Sequence, residues 1–139
     1  KSLAKAQEAK LDMICKKLEL KPSMKVLDIG CGWGGFAKFA AEKYGVEVLG
    51  ITISEKQVRF AKEYCHNLPV EIRYQDYRDV KGKFDAVVSI GFFEHVGYKN
   101  YYTYMKMVDS CLDDGGISLL HTIGNNTTVT YVNKWTNKY

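Results

Sequence analysis

The 139-residue chain lacks any apolar run near the ~20 residues a membrane-spanning helix requires, and it has no charged-then-apolar leader. It therefore reads as cytoplasmic, with contact to the inner face of a membrane at most peripheral. Cys15, Cys31, Cys65 and Cys111 are scattered, with no C-x-x-C pair, which argues against a disulfide frame or a zinc site and for reduced thiols. No internal repeat, low-complexity tract or nucleic-acid module is present, so a nucleic-acid partner is not supported. A net excess of either charge is missing from most of the chain. Residues 1–25 hold seven lysines against Glu8, Asp12 and Glu19, which accounts for the whole formal net charge of +4. This basic stretch carries Leu11, Ile14 and Leu18 at helical spacing. It predicts an amphipathic helix over 3–20 that either packs over the core as a solvated face or rests on anionic lipid headgroups.

What the chain does have is glycine, concentrated after one apolar strand. The segment VLDIGCGWGG (26–35) runs from a buried-type strand into a turn with glycines at 30, 32, 34 and 35, then into a helical pattern. A strand end beside a helix N-terminus gathers unpaired amides and the positive end of the helix dipole, which is where doubly wound sheets bind ligands.

Two absences narrow the ligand. Gly30, Gly32 and Gly35 satisfy G-x-G-x-x-G, but the second strand ends in Thr52, Ile53 and Ser54, without the ribose-binding acid a dinucleotide site expects. No Lys-Ser or Lys-Thr follows the glycines, which excludes a P-loop. Asp28, just before the turn, instead fits the carboxylate that S-adenosylmethionine-dependent methyltransferases place near the methionine end of their cofactor. Cys31 reads as a small filler within the turn.

Apolar runs then alternate with helical patterns. Strands are predicted at 26–29, 46–51, 70–74, 84–90 and 116–122, with helices at 34–44, 54–65 and 100–112. Ser54 and Gln57 form a capping box, and residues 113–116 (DDGG) read as a turn. The expectation is an α/β chain with a Rossmann-like methyltransferase fold: a doubly wound, mostly parallel sheet, truncated to about five strands. The first and fourth strands should meet at the switch point, leaving the fifth as an unpaired edge. We expect one partial domain over 1–139, with an N-terminal helix at 2–20, a core at 24–124 and a tail at 125–139. The absence of an initiating methionine and of a terminal element reads as a piece of something longer.

Five blocks, taken together and in order, make the pattern specific: 26–35, GITISEKQ (50–57), QDYRD (75–79), FEHVG (93–97) and LHTIG (120–124). They resemble the cyclopropane-fatty-acyl-phospholipid synthases, with mycolic acid cyclopropane synthases as near relatives. The resemblance implies an enzyme that transfers a methylene from S-adenosylmethionine to the cis double bond of unsaturated acyl chains in phospholipids, at the membrane surface. It further implies that Gly30, Gly32 and Gly34 lie along the methionine part of the cofactor, Thr52 and Ile53 at the ribose and adenine, and Gln57 on the ribose. Asp76 and Tyr77 would border the adenine, although the Tyr77 ring could equally serve ordinary packing.

The resemblance also implies a bound bicarbonate ion as general base, with Glu94, His121 and the Ile123 amide among its partners. Methyl transfer to an alkene leaves a cationic centre, and a base must remove a proton before the ring closes. A further Cys and Tyr ligand would lie outside this sequence, so the fragment alone is expected to be inactive. His95 reads as structural, and the tyrosines at 98, 101, 102 and 104 as either an acyl channel or helix packing. Three other readings stay open: a methyltransferase acting on another substrate, a non-catalytic S-adenosylmethionine-binding module and, more distantly, a nicotinamide-linked dehydrogenase. Homodimerisation is also open, and no metal is expected.

Overall fold

The computed structural model describes residues 2–124, so the tail at 125–139 lies outside the described residues. Strands β1 (Lys25–Ile29), β2 (Glu47–Thr52), β3 (Val70–Tyr74), β4 (Phe84–Ile90) and β5 (Leu112–His121) form one sheet in the order β3-β2-β1-β4-β5. All four pairings are parallel. The β1–β4 neighbourhood is where strand order reverses, which puts the carboxyl ends of those strands at the ligand-binding crevice of a doubly wound sheet.

Alternation along each central strand explains why both faces are covered. Val26, Val48, Ala86 and Val88 share a core with helices α1 (Leu3–Lys17) and α2 (Gly35–Tyr44). Ala61 of α3 (Glu55–Tyr64) packs on Ile72 of the same face. Leu27, Ile29, Ile51 and Val87 point the other way, onto Tyr104, Met107 and Val108 of α4 (Tyr101–Cys111). Strands buried on both faces carry the continuous apolar runs seen in the sequence.

The opening helix stops sooner than its periodicity predicts. Glu19 turns left-handed at φ 51°, its N–H donates to the Lys16 carbonyl, and the Leu20 N–H donates to the Cys15 carbonyl. This Schellman arrangement folds Leu20 back so that it stays buried with Leu18 after the helix has ended. Between α1 and α2, the Asp12 carboxylate receives Lys16 and Lys43, each at 2.8 Å, and the Tyr44 hydroxyl. Those donors hold its carboxyl well below the usual range.

The DDGG segment is not a turn between elements. It lies inside β5, where pairing jumps from Phe84 opposite Leu112 to Ala86 opposite Ile117. The extra residues bulge outward, and Gly115, at φ 77°, supplies the left-handed step. Beyond the bulge the ladder regains register, bringing His121 opposite Ile90.

Candidate active site

The turn after β1 is held from below. The Gly30 and Cys31 amides both donate to the Ile51 carbonyl at 3.0 Å, which fixes the turn to the end of β2. At Gly30, φ is 73° and a Cβ would come within 2.5 Å of the Phe92 ring, so only glycine fits. Gly34, at φ 82°, occupies the N-cap of α2 against Ala61 and Cys65. Cys31 is buried and touches the space above Gly50, consistent with a filler, and burial raises its thiol above the ordinary range.

Beside this turn lies a cleft of about 220 Å³. Gly30, Thr52, Ile53, Asp76 and Tyr77 line it, together with Phe92 and His95. Apolar walls with a few polar groups suit a flat heterocycle with hydrogen-bonding edges. Gly32, Gly34, Gln57 and Asp28 stand outside its walls. Larger hollows flank the β3 edge; there the surface charges Glu71 and Arg73 pair with each other at 2.6 Å.

Polar residues around the cleft are largely prearranged. The Thr52 hydroxyl donates to Gln57 Oε1 at 2.7 Å, and Thr52 Oγ1 accepts the Ser54 amide. Ser54 Oγ accepts the Gln57 amide, so half of the capping box forms, while the Gln57 side chain turns to Thr52 instead. Asp76 accepts the Arg78 amide and both arms of its guanidinium, which pull its carboxyl below the ordinary range. The Tyr77 ring meets Phe92 and Tyr104 at 5.8 and 5.6 Å, so it packs into the α4-side core and also faces the cleft.

Asp28 departs from this satisfaction, as does the buried Ser89 hydroxyl on neighbouring β4. Asp28 is 2% exposed, its Oδ2 has no hydrogen-bond partner, and burial pushes its pKa up to about 7. A buried orphan acceptor costs free energy unless a donor reaches it. A cationic or hydrogen-bond-donating ligand seated on the glycine turn would supply one, and the glycine conformations leave room for its approach.

A second cluster sits after β4 and β5. Glu94, in the short 3-10 turn Phe93–His95, accepts the Ile123 amide at 2.8 Å. That amide and the Glu94 backbone lower the Glu94 pKa, so the side chain is an ionised acceptor at neutral pH. His121 lies two residues before Ile123; its carbonyl accepts the Gly91 amide, and its imidazole has no hydrogen-bond partner among the described residues. The structure thus joins Glu94 directly to Ile123 but not to the His121 ring. The family resemblance assigns the Ile123 amide to a bound ion instead. Just past the last rung of β5 that N–H has no ladder partner, and Glu94 takes it.

His95, structural on the sequence pattern, also borders the cleft. In a three-residue 3-10 turn, consecutive side chains diverge by roughly 120°, so Glu94 and His95 face different neighbours. That divergence was the signal available in the sequence.

The chain's relatives fit this geometry. The family described as mycolic acid cyclopropane synthetase matches residues 1–139. Cyclopropane-fatty-acyl-phospholipid synthase of Escherichia coli K12 is 56% identical over 138 residues, 99% of this chain and 36% of that protein. The chain therefore spans about a third of that relative's length. Among solved structures, the cyclopropane synthase MmaA2 from Mycobacterium tuberculosis superposes with TM-score 0.84 at 34% identity, over 87% of this chain and 44% of that one. Mycolic acid cyclopropane synthase CmaA1, complexed with SAH and CTAB, superposes with TM-score 0.83 at 35% identity, over 86% and 44%.

Proposed function

We propose, from the premise that the chain belongs to the mycolic acid cyclopropane synthetase family, that it is the cofactor-binding part of a cyclopropane-fatty-acyl-phospholipid synthase. The reaction is transfer of a methylene from S-adenosylmethionine to the cis double bond of unsaturated acyl chains in phospholipids. The 56% identity with the Escherichia coli synthase over 138 residues, a span that takes in all five motif blocks, carries this reading.

Gly30, Gly32 and Gly34 give the methionine end of the cofactor a close backbone approach, with Asp28 beneath them as the acceptor that gains a partner. Thr52, Ile53 and Gln57 take the ribose; Gln57 serves through an amide that both donates and accepts where a dinucleotide enzyme uses an acid. Asp76 and Tyr77 border the adenine. When bound, S-adenosylmethionine supplies an electrophilic methyl on its sulfonium. Glu94, His121 and the Ile123 amide form the acid–base side of the site. One carboxylate acceptor, one imidazole and one amide donor complement a hydrogen-bearing oxyanion such as bicarbonate, which would supply the base. For that ion to use the Ile123 amide, the Glu94–Ile123 bond must open.

Calorimetry with S-adenosylhomocysteine tests the cofactor half; no binding by the folded chain overturns it. Expression of a protein of the relatives' length containing this chain, in cells that lack cyclopropane lipids, tests the reaction. A gain of one CH₂ in unsaturated phospholipids, read by mass spectrometry, is expected, and unchanged lipid refutes the assignment.

A further inference from the structure

The tryptophan of the glycine turn has no part in the site just described. Trp33 is 55% exposed, and it begins a ladder of rings across the outside of the molecule. Its ring meets Phe60 edge-on at 5.4 Å, Phe60 stacks on Tyr64 at 5.6 Å, and Lys38 Nζ sits 4.1 Å above the Tyr64 ring. Phe60 and Tyr64 are themselves 48% and 44% exposed.

This is an unusual use of α3. Its one fully buried residue is the small Ala61, while its two aromatic side chains, one helical turn apart, point outward. Exposed apolar residues scattered singly are ordinary on a protein surface, but three rings in consecutive contact make a continuous patch that favours a partner. The surrounding charge says which kind. Helices α1, α2 and α3 lie on one face of the sheet, and together they carry nine cations against five acids, equal to the whole +4 of the chain. Rings with a hydrocarbon body, edged by Lys38, which also reaches Glu42 at 3.8 Å, match the boundary between anionic headgroups and acyl chains.

We infer that the Trp33–Phe60–Tyr64 ladder, edged by Lys38, is a surface that seats the protein on an anionic phospholipid bilayer. The choice of partner rests on the lipid substrate proposed above. The ladder runs outward from the glycine turn along α3, so it would hold the cofactor side of the site beside the bilayer.

Substituting Trp135→Phe leaves Trp33 as the single tryptophan, a reporter within the ladder. With phosphatidylglycerol vesicles containing lipids brominated on the acyl chain, its emission should shift to the blue and be quenched. Pure phosphatidylcholine should bind at least tenfold more weakly. The Phe60→Ser/Tyr64→Ser double variant should lose at least tenfold in vesicle partition, with its melting curve and S-adenosylhomocysteine affinity unchanged. Absence of quenching, or partition that survives the double variant, overturns the inference. A blue-shifted Trp33 without lipid, dependent on protein concentration in sedimentation, also overturns it by showing a second copy on the ladder. Intact S-adenosylhomocysteine binding alongside absent vesicle binding refutes this surface alone, whereas loss of cofactor binding in the unsubstituted chain refutes the reading beneath it.

Discussion

The loops after β1, β2 and β3 and those after β4 and β5 share one end of the sheet but are built differently. In the first group, the turn amides are fixed to Ile51, Thr52 is tied to Gln57, and Asp76 is clamped to Arg78. In the second, Glu94 and His121 are exposed, and among the described residues one side-chain hydrogen bond, from the Ile123 amide to Glu94, links the two loops. The first region is organised before a ligand arrives. The second offers groups that must exchange partners to act, as the Glu94–Ile123 bond illustrates. Binding a cofactor favours the former, since prior order lowers the entropy lost on association.

The sharpest way to break the ordered region is Gly30→Ala, which combines a positive φ with a collision against Phe92. Calorimetry should show S-adenosylhomocysteine affinity falling beyond detection, and denaturant unfolding should show a loss of about 1–3 kcal/mol. Adding Phe92→Ala should recover part of the stability.

Asp28→Asn tests the same region through its pH dependence. The folded pKa is about 7 against an ordinary 3.8, so the folded state binds the proton more tightly. The favourable contribution is therefore complete below pH 3.8 and is lost as pH rises through 7. At about 1.4 kcal/mol for each tenfold change in proton affinity, the loss is on the order of 4 kcal/mol. Melts should show Asp28→Asn more stable than the parent at pH 8.5 and no more stable at pH 4, while its affinity for the cofactor product drops.

Glu94→Gln tests the opposite region. Stability and S-adenosylhomocysteine affinity should stay within about 0.5 kcal/mol, because the residue is exposed and lies outside the cleft walls. Methylene transfer by the longer protein should fall about 10²-fold or more, assayed by lipid mass spectrometry. Equal loss of binding and turnover would erase the distinction between the two regions. The smallest effect belongs to Gln57→Ala, where removal of one amide should weaken product binding about fivefold by calorimetry, in line with one hydrogen bond of about 1 kcal/mol.

Much of this was legible because the relevant physics is local. β3 and β4 begin and end where their apolar runs do, and glycine density marked the turn because left-handed backbone leaves few other choices. What escaped depended on partners distant in sequence. DDGG has turn composition, but β4 continues beside it, so the same residues become a bulge within β5. Glu94 and Ile123 are 29 positions apart, and no local pattern announces that one will take the amide of the other. Gln57 left its capping role because the Thr52 hydroxyl lay within reach, a competition that spacing alone does not decide. The end of α1 was set by a left-handed Glu19, a residue type that seldom adopts that conformation.

The ring of Phe92 fills the space where a side chain at position 30 would stand, and Phe92 lies two residues before Glu94. The cofactor turn and the loop bearing the acid are consequently not free to drift apart in evolution. Enlarging residue 30 demands both a side chain carried on left-handed backbone and a smaller or displaced residue 92, so the bulk of one loop dictates the smallness of the other. The dependence runs one way: residue 92 can shrink while residue 30 stays glycine, but residue 30 cannot grow while residue 92 stays phenylalanine.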